Sequence, residues 1–311
     1  MEDEIVDSEI RTDLALEEKE RFEGTDVEVE GVSFEERQSP SGIIKITIVK
    51  ILNETGAENM RKPVGNYITL ENCRIDEYDE SFYDEITREI SIRLKNIIKD
   101  LKKRGKVKGE KILVVGLGNR EATPDALGPV AMNDIIVNKY IYAIAPGVMA
   151  QTGLETSDYI RGIVKEIKAG LIIAIDSLAA RNTGRLNTTV QITDTGINPG
   201  SGVGNNRQAM NEETMGVPVI AIGVPTVVDA VTIVNDVLDN LIQILEQSTN
   251  MKGLSKVMED FSEHEKRQLV KELMEDEAKD LYVTPKDIDE NIQILARIIS
   301  EGINEAVALS A

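Results

Sequence analysis

The sequence predicts an α/β protein whose main sheet is mostly parallel and twisted, with helices on both faces. Short apolar runs typical of buried strands alternate with stretches of helical spacing: strands at 111–115, 141–145 and 171–176, and helices at 124–138 and 155–168. Such alternation implies right-handed crossovers, which make neighbouring strands parallel and place helices on both sides of the sheet.

Two smaller regions flank this sheet. Short runs of β character at 27–30, 42–49 and 67–70 predict a small antiparallel β region over about 27–72, with a hairpin loop at 39–42. An amphipathic helix at 81–103 leads into the first strand of the main sheet.

The main sheet is expected to continue with strands at 188–192 and 217–222, followed by a helix at 226–247. A C-terminal helical region follows over about 254–308, with helices at 254–277 and 285–308. We find no internal repeat in the sequence.

The charge of the chain limits its partners. The 311 residues carry a formal net charge of −20, which argues against direct binding to nucleic acid or to an anionic membrane, because both require basic surfaces. Residues 1–30 contain 13 acidic and 3 basic residues, a balance of −10. Residues 1–25 are therefore expected to form a solvated, mobile arm.

The chain is expected to remain in the cytoplasm where it is made. No stretch approaches the ~18 apolar residues that a membrane helix requires, and the N-terminus is acidic where a secretory signal would be basic. Cys73 is the single cysteine, so an internal disulfide is impossible, and we interpret it as a small residue in or near a core.

Two acidic residues follow buried strands of the predicted sheet. Asp125 lies after a glycine turn, with Thr123 as a candidate N-cap and Pro124 as the first helical residue, which places its carboxylate in the first helical turn. Asp176 follows five apolar residues, where an acid is costly unless it has a partner. Because the carboxyl ends of parallel strands share one edge, we expect Asp125 and Asp176 to meet there.

Paired carboxylates suggest hydrolysis of peptide bonds. Two such groups cannot both ionise cheaply, so they share a proton. The ionised member can take a proton from an attacking water, and the protonated member can polarise the carbonyl or protonate the leaving nitrogen. Neither a metal nor another cofactor is required. A first-turn acid that only stabilises its helix is the structural alternative for Asp125.

Other motifs give weaker hypotheses. The turn at 116–118 resembles a dinucleotide-binding loop, but Glu121 replaces its third glycine. The triplet at 194–196 matches the catalytic Asp-Thr-Gly of pepsin-like proteases, whose folds are all-β and need two copies, so we interpret it as a strand end and turn. The sole histidine, His264, lies on a charged helical face without a nucleophile motif.

A glycine-rich loop at 200–207 is a further candidate. The backbone amides of Gly202, Gly204 and Asn205 could bind an oxyanion or line a substrate groove. A flexible surface loop is an equally good interpretation of the same residues.

Ordered blocks along the chain closely resemble the germination proteases of spore-forming bacteria. The blocks are RTDLA at 11–15, GLGN at 116–119, TPDALGP at 123–129, APGVM at 145–149, TGLETSD at 152–158, IAIDSLAAR at 173–181, GSGVGN at 200–205 and IGVPTVVDA at 222–230. The resemblance implies a phosphorylase/hydrolase-like fold and an atypical aspartic endopeptidase with Asp125 and Asp176 as its catalytic pair. It implies no cofactor or metal.

The resemblance also implies substrates and a mode of activation. The substrates would be small acid-soluble spore proteins that coat DNA, degraded during germination, in the developing spore and the spore core. The enzyme would be made as a tetrameric zymogen that cuts itself between Asp13 and Leu14, which divides the chain into a propeptide at 1–13 and a peptidase domain at 14–311. The chain is shorter than that family between the helix near 240 and the C-terminal helices.

A more distant resemblance connects the chain to the hydrogenase maturation proteases. Their glycine-asparagine turn and following acid correspond to Asn119 and Asp125. Those enzymes use nickel on the substrate for recognition, with a histidine among the binding residues, whereas His264 lies in the wrong region here. A metal-assisted peptidase of this type, or a non-catalytic metal- or partner-binding protein of the same fold, is the alternative hypothesis.

Overall fold

The computed structural model describes residues 12–20, 29–75, 80–199, 208–247 and 281–308, together with residues 268, 270, 272, 274 and 278. One nine-stranded sheet organises these residues. Its strands are β1 (Val32–Gln38), β2 (Lys45–Ile51), β3 (Gly65–Glu71), β4 (Lys111–Gly116), β5 (Ile141–Ile144), β6 (Ala169–Ala180), β7 (Val190–Thr193), β8 (Val219–Asp229) and β9 (Tyr282–Val283).

The helices vary widely in length. Those of twelve or more residues are α3 (Glu80–Lys103), α6 (Thr156–Ile167), α8 (Ala230–Gln247) and α9 (Ile288–Ala308). The shorter ones are α1 (Ala15–Glu20), α2 (Glu54–Met60), α4 (Leu127–Ala131), α5 (Met149–Thr152) and α7 (Glu212–Met215). In the described ranges, no helix has both the length and the apolar character that a membrane span requires.

The sheet is mixed, in the order β1-β2-β3-β7-β8-β6-β4-β5, with β9 paired to β8. The pairs β4–β5, β4–β6 and β6–β8 are parallel. The other five pairs are antiparallel, so "mostly parallel" holds only for the group β5-β4-β6-β8. The antiparallel strands near the N-terminus are not a separate region, because β3 pairs with β7 and extends the same sheet.

Helices cover both faces of the parallel strands. Ile112 and Val114 of β4 belong to the core cluster that contains the apolar residues of α3 and α9. The alternate residues Leu113 and Val115 pack in a second cluster with α6. Strand periodicity therefore distributes one apolar run between two cores, as expected for a strand buried on both sides.

The elements predicted at 27–30 and 124–138 differ from the structure. A strand is expected at 27–30, of which the structure describes residues 29 and 30. These two residues are not in a strand, and the first strand, β1, begins at Val32. The helix predicted at 124–138 is a 3₁₀ turn, Thr123–Asp125, followed by the five-residue α4. The helix predicted at 254–277 lies largely outside the described residues.

The expectation of a solvated arm is wrong for the part of it that the structure describes. Leu14, Ala15 and Leu16 are at most 2% exposed, and α1 begins at Ala15. The acidic Glu17 is also buried, at 3% exposure. Residues 14–18 are therefore a packed element of the fold.

Candidate active site

Asp125 is held by the loop that follows β4. Gly118 adopts a φ of +108°, and a Cβ atom there would lie 2.1 Å from the Asp125 carbonyl oxygen. The backbone N–H of Asn119 donates to Asp125 Oδ2 at 2.8 Å. The predicted position in the first turn of an α-helix is wrong, because Asp125 ends the 3₁₀ turn and α4 begins only at Leu127.

Contacts from neighbouring elements fix the same turn. Thr226 of β8 donates its hydroxyl to the Pro124 carbonyl at 2.6 Å. Asn119 accepts a hydrogen bond from Gln151 of α5 at 2.7 Å. The turn that carries Asp125 is thus tied to the sheet on one side and to α5 on the other.

Asp176 lies within a strand and not at its end. β6 continues to Ala180, whereas β4 stops at Gly116, which pairs with Ile175. Past this pair, β6 has no β4 residue beside it, so on that side Asp176 faces the loop that follows β4. Asp176 is 5% exposed, and Ser177 N–H donates to its Oδ1 at 3.0 Å.

The two acids line one cavity of about 270 Å³. Its walls include four parts of the chain: the loop that follows β4, the part of β6 from Asp176 to Ala179, the loop before α5, and residues 226–227 of β8. Asp13, from the N-terminal segment, lines the same cavity. The structure therefore brings together Asp125, Asp176 and Asp13, three residues that the sequence places in separate parts of the chain.

The segment 12–15 is bound to the sheet beside this cavity. Asp13 N–H donates to the Ala179 carbonyl at 3.1 Å, and Ala179 N–H donates back to Asp13 Oδ2 at 2.9 Å. The Asp13 carbonyl oxygen accepts from Lys62 Nζ at 3.1 Å and from Gln191 Nε2 at 3.0 Å. Leu14 is fully buried and packs with Leu178 and Ala180.

A buried charge network anchors the next turn. The Glu17 carboxylate accepts from the N–H groups of Arg181 and Asn182, at 2.8 and 3.0 Å, and from Arg185 Nη1 at 3.0 Å. Arg185 also pairs with Glu20. The carboxylates raise the pKa of Arg185 against the opposing effect of burial, so the guanidinium stays charged.

The structure assigns Asp194 to another task. Its Oδ1 and Oδ2 accept from the backbone N–H and the side-chain amide of Asn66, each at 2.7 Å. This contact joins the end of β7 to β3, and Asp194 does not line the cavity of Asp125 and Asp176. The interpretation of 194–196 as a strand end and turn agrees with this arrangement.

Several sequence candidates lie outside the described residues. These are Gly202, Gly204 and Asn205 of the glycine-rich loop, and His264. Cys73 is fully buried with a free thiol, whose pKa is raised by burial. Among the described residues, no group of three or more His, Cys, Asp or Glu side chains has an arrangement that could hold a metal ion.

Sequence reasoning missed Lys62, Gln191 and Arg185. Gln191 had no usable signal, because Thr189, Gln191 and Thr193 alternate with the apolar Val190 and Ile192 as in an ordinary half-buried strand. Lys62 and Arg185 had none, since nothing in their local sequence distinguishes them from other basic residues.

Comparison with known proteins agrees with the resemblance seen in the sequence. The profile of the germination protease family matches residues 9–261 and 245–310. The germination protease of Caldanaerobacter subterraneus subsp. tengcongensis is 43% identical, over 96% of this chain and 94% of the relative. Those of Clostridium perfringens strain 13 and Bacillus subtilis strain 168 are 40% and 38% identical, over 96% of this chain and 95% and 93% of the relatives.

A solved [NiFe] hydrogenase maturation protease from Thermococcus kodakarensis KOD1 also matches part of the chain. It is 19% identical, with a TM-score of 0.29, and the match covers 39% of this chain and 78% of that one.

A mixed α/β sheet with an acid-lined cavity beside its parallel strands, together with these relatives, defines the chain as a peptidase. More particularly, the chain belongs to the germination protease family.

Proposed function

We propose that the chain is an aspartic-type endopeptidase in which Asp125 and Asp176 share one proton and activate water. The observation that carries this proposal is that both carboxylates line one cavity, at the point where β4 ends and β6 continues. Two carboxylates that lie close together cannot both ionise cheaply, and such a pair would supply one base and one acid at the same place.

The proton transfers of the proposed reaction involve only these two groups and water. The water oxygen bonds to the carbonyl carbon of the substrate while the ionised carboxylate takes a proton from that water. The protonated carboxyl polarises the carbonyl oxygen and then gives its proton to the leaving nitrogen as the C–N bond breaks. The proton taken from water restores the shared state of the pair.

The chain would be made as a zymogen that cuts its own Asp13–Leu14 bond. In support, Asp13 lines the cavity of Asp125 and Asp176, and the backbone around it is held by hydrogen bonds on both sides. The propeptide would then be residues 1–13 and the peptidase domain residues 14–311.

The proposed substrates are the small acid-soluble, DNA-coating spore proteins, degraded during germination in the cytoplasm of the spore core. A net charge of −20 would attract basic substrates without drawing the enzyme to the DNA. We also propose a homotetramer. Supporting this, α8 exposes Val234, Val237, Leu241 and Ile244 at the spacing of one helix face.

Self-processing gives a direct test of the catalytic pair. The purified full chain, held at mildly acidic pH, should acquire Leu14 as its N-terminus, read by N-terminal sequencing. Asp125→Asn and Asp176→Asn should each abolish this change, and Asp158→Asn, at an exposed helix position, should not.

Two results would contradict the proposal. Shortening at the parental rate in both Asp125→Asn and Asp176→Asn would exclude the pair as its catalytic groups. Stoichiometric metal in the purified chain, lost in both variants and required for cleavage, would favour the metal-assisted alternative.

A further inference from the structure

The carbonyl oxygen of Asp13 is held by two side chains from distant parts of the fold. Lys62 Nζ donates to it at 3.1 Å and Gln191 Nε2 donates at 3.0 Å. Lys62 also donates to the Thr12 carbonyl at 3.0 Å. Two convergent donors on one carbonyl oxygen form the arrangement that stabilises negative charge on that atom during acyl transfer.

Backbone hydrogen bonds fix the main chain at both donors. Lys62 directly follows the left-handed C-cap residue of α2, and its N–H donates to the Ala57 carbonyl at 3.2 Å. Gln191 lies in β7, paired with Thr69 of β3 on one side and Gly223 of β8 on the other. Donors placed in this way need little reorganisation when charge develops on the oxygen.

The surroundings of Lys62 indicate a role other than stability. Burial lowers the pKa of Lys62, against the opposing effect of Asp13, Glu18 and Glu17. The folded state therefore holds this proton less readily than the unfolded chain, and the partly buried ammonium opposes folding at neutral pH. A costly group retained at a carbonyl oxygen is typical of a functional site.

The residues around the Asp13 carbonyl are bound as an enzyme binds a peptide. The Asp13 N–H and Oδ2 pair with the carbonyl and N–H of Ala179. Ala15 N–H donates to Gln191 Oε1 at 2.8 Å, so one amide holds the chain on both sides of the Asp13–Leu14 bond. The Leu14 side chain fills an apolar pocket with Leu178 and Ala180.

We propose that Lys62 and Gln191 bind the carbonyl oxygen of the peptide bond to be cut, first in this chain at Asp13–Leu14 and then in protein substrates. This proposal rests on the proposed function, because it takes Asp13–Leu14 as the bond that the chain cuts. When water adds to the carbonyl carbon, the C=O bond opens and the electron pair moves to the oxygen, where the ammonium and the amide stabilise it.

The same contacts define the class of peptide that the site accepts. The Ala179 N–H binds a carboxylate on the N-terminal side of the cut, and Leu14, which stays in the shortened chain, must leave the pocket of Leu178 and Ala180 before a second peptide can place an apolar side chain there. Release of residues 1–13 frees Lys62, Ala179 and the donor of Gln191 for a second peptide of this kind.

Substitution of the two donors tests the proposal in the full chain. Lys62→Met should slow the appearance of Leu14 as N-terminus on the order of 10²-fold, the usual effect of removing one such donor. Gln191→Glu keeps an acceptor for Ala15 N–H but loses the donor, and should slow the reaction similarly. Lys106→Met, which removes an exposed lysine paired with Glu212, is the matched control and should react at the parental rate.

A second measurement separates charge stabilisation from a structural effect. After incubation has brought each variant to complete shortening, it is assayed on a synthetic peptide with the sequence of residues 9–18. Loss of a donor that acts mainly in the transition state should lower kcat with little change in KM. Lys62→Met should melt close to the parent, because burial already lowers the pKa of the ammonium that it removes.

The outcomes are distinguishable from failure of the proposed function. If either variant retains the parental kcat within about twofold, while Asp125→Asn blocks cleavage, the carbonyl-binding proposal is wrong and the catalytic pair stands. If Asp125→Asn and Asp176→Asn cleave normally, the proposed function itself is wrong. An effect confined to KM would assign Lys62 and Gln191 to ground-state binding alone and would also overturn the proposal.

Discussion

Glu17 should decide whether the N-terminal segment stays bound beside the cavity. Its carboxylate is 2% exposed and accepts hydrogen bonds from Arg181 N–H, Asn182 N–H and Arg185. Glu17→Ala removes these acceptors and leaves the Arg185 guanidinium, at 10% exposure, with fewer partners.

The size of the effect follows from the type of contact. Breaking a buried ion pair by removing one partner costs about 3–5 kcal/mol. Glu20 still accepts from Arg185 Nη1 at 2.9 Å, so the lower end, about 3 kcal/mol, is expected. Docking of residues 12–20 also costs conformational entropy, because the segment becomes ordered when it binds to the sheet. We therefore expect Glu17→Ala to release residues 12–20 and to leave the sheet folded.

Hydrogen exchange measures this release at individual amides. A loss of about 3 kcal/mol corresponds to roughly 10²-fold faster exchange of the Ala15 amide, which donates to Gln191 in the docked state. The Ile173 amide, in the central strand β6, should keep its protection. Self-shortening should slow as well, because the Asp13–Leu14 bond is no longer held beside the cavity. Glu35→Ala, at an exposed ion pair, is the control.

Two results would refute this reasoning. Unchanged exchange at Ala15 would mean that the Glu17 network contributes little to docking. Equal loss of protection at Ala15 and Ile173 would mean that the segment and the sheet unfold as one unit.

Three further predictions concern other parts of the fold. Gly118→Ala should abolish cleavage, because the added Cβ would displace Asp125. Gly105→Ala is the control: Gly105 has a φ of +70° and open space around it, so the substitution should lower the free energy of unfolding by only about 1 kcal/mol, measured by urea denaturation. Cys73 should react with a thiol reagent only after unfolding, because it is fully buried; rapid labelling of the native chain would contradict this. Asp194→Ala should lower Tm by removing a buried acceptor worth about 1–3 kcal/mol, with cleavage retained; loss of cleavage without loss of stability would restore the Asp-Thr-Gly hypothesis.

The common cavity of Asp125 and Asp176 could be predicted from the sequence because it depends on a general property of parallel strands. The apolar runs of β4 and β6 are unambiguous, and acids after such runs gather at one sheet edge. The local structure at Asp125 could not be predicted as well. The 3₁₀ turn there is fixed by Thr226, which lies 102 residues from Pro124 in the sequence and donates its hydroxyl to the Pro124 carbonyl.

The docked N-terminal segment could not be predicted from composition. Its acidic residues suggested a solvated arm, yet Glu17 meets Arg185, which lies 168 residues later. Local composition contains no information about such a partner. Likewise Lys62 and Gln191 meet at Asp13 only because α2 and β7 are brought together by the sheet.

The register of the sheet explains how Asp176 and Gln191 come to lie beside the same segment of the chain. Asp176 pairs with Gly223, and Gly223 pairs with Gln191, so these three residues form one row across β6, β8 and β7. Residues in one row share a face of the sheet, and two strand spacings put Asp176 and Gln191 roughly 10 Å apart. Gly223 between them leaves space for Leu178, because a Cβ there would lie 2.5 Å from that side chain. Leu178 in turn packs against Leu14. One row of paired residues therefore places both Asp176 and Gln191 near the Asp13–Leu14 bond.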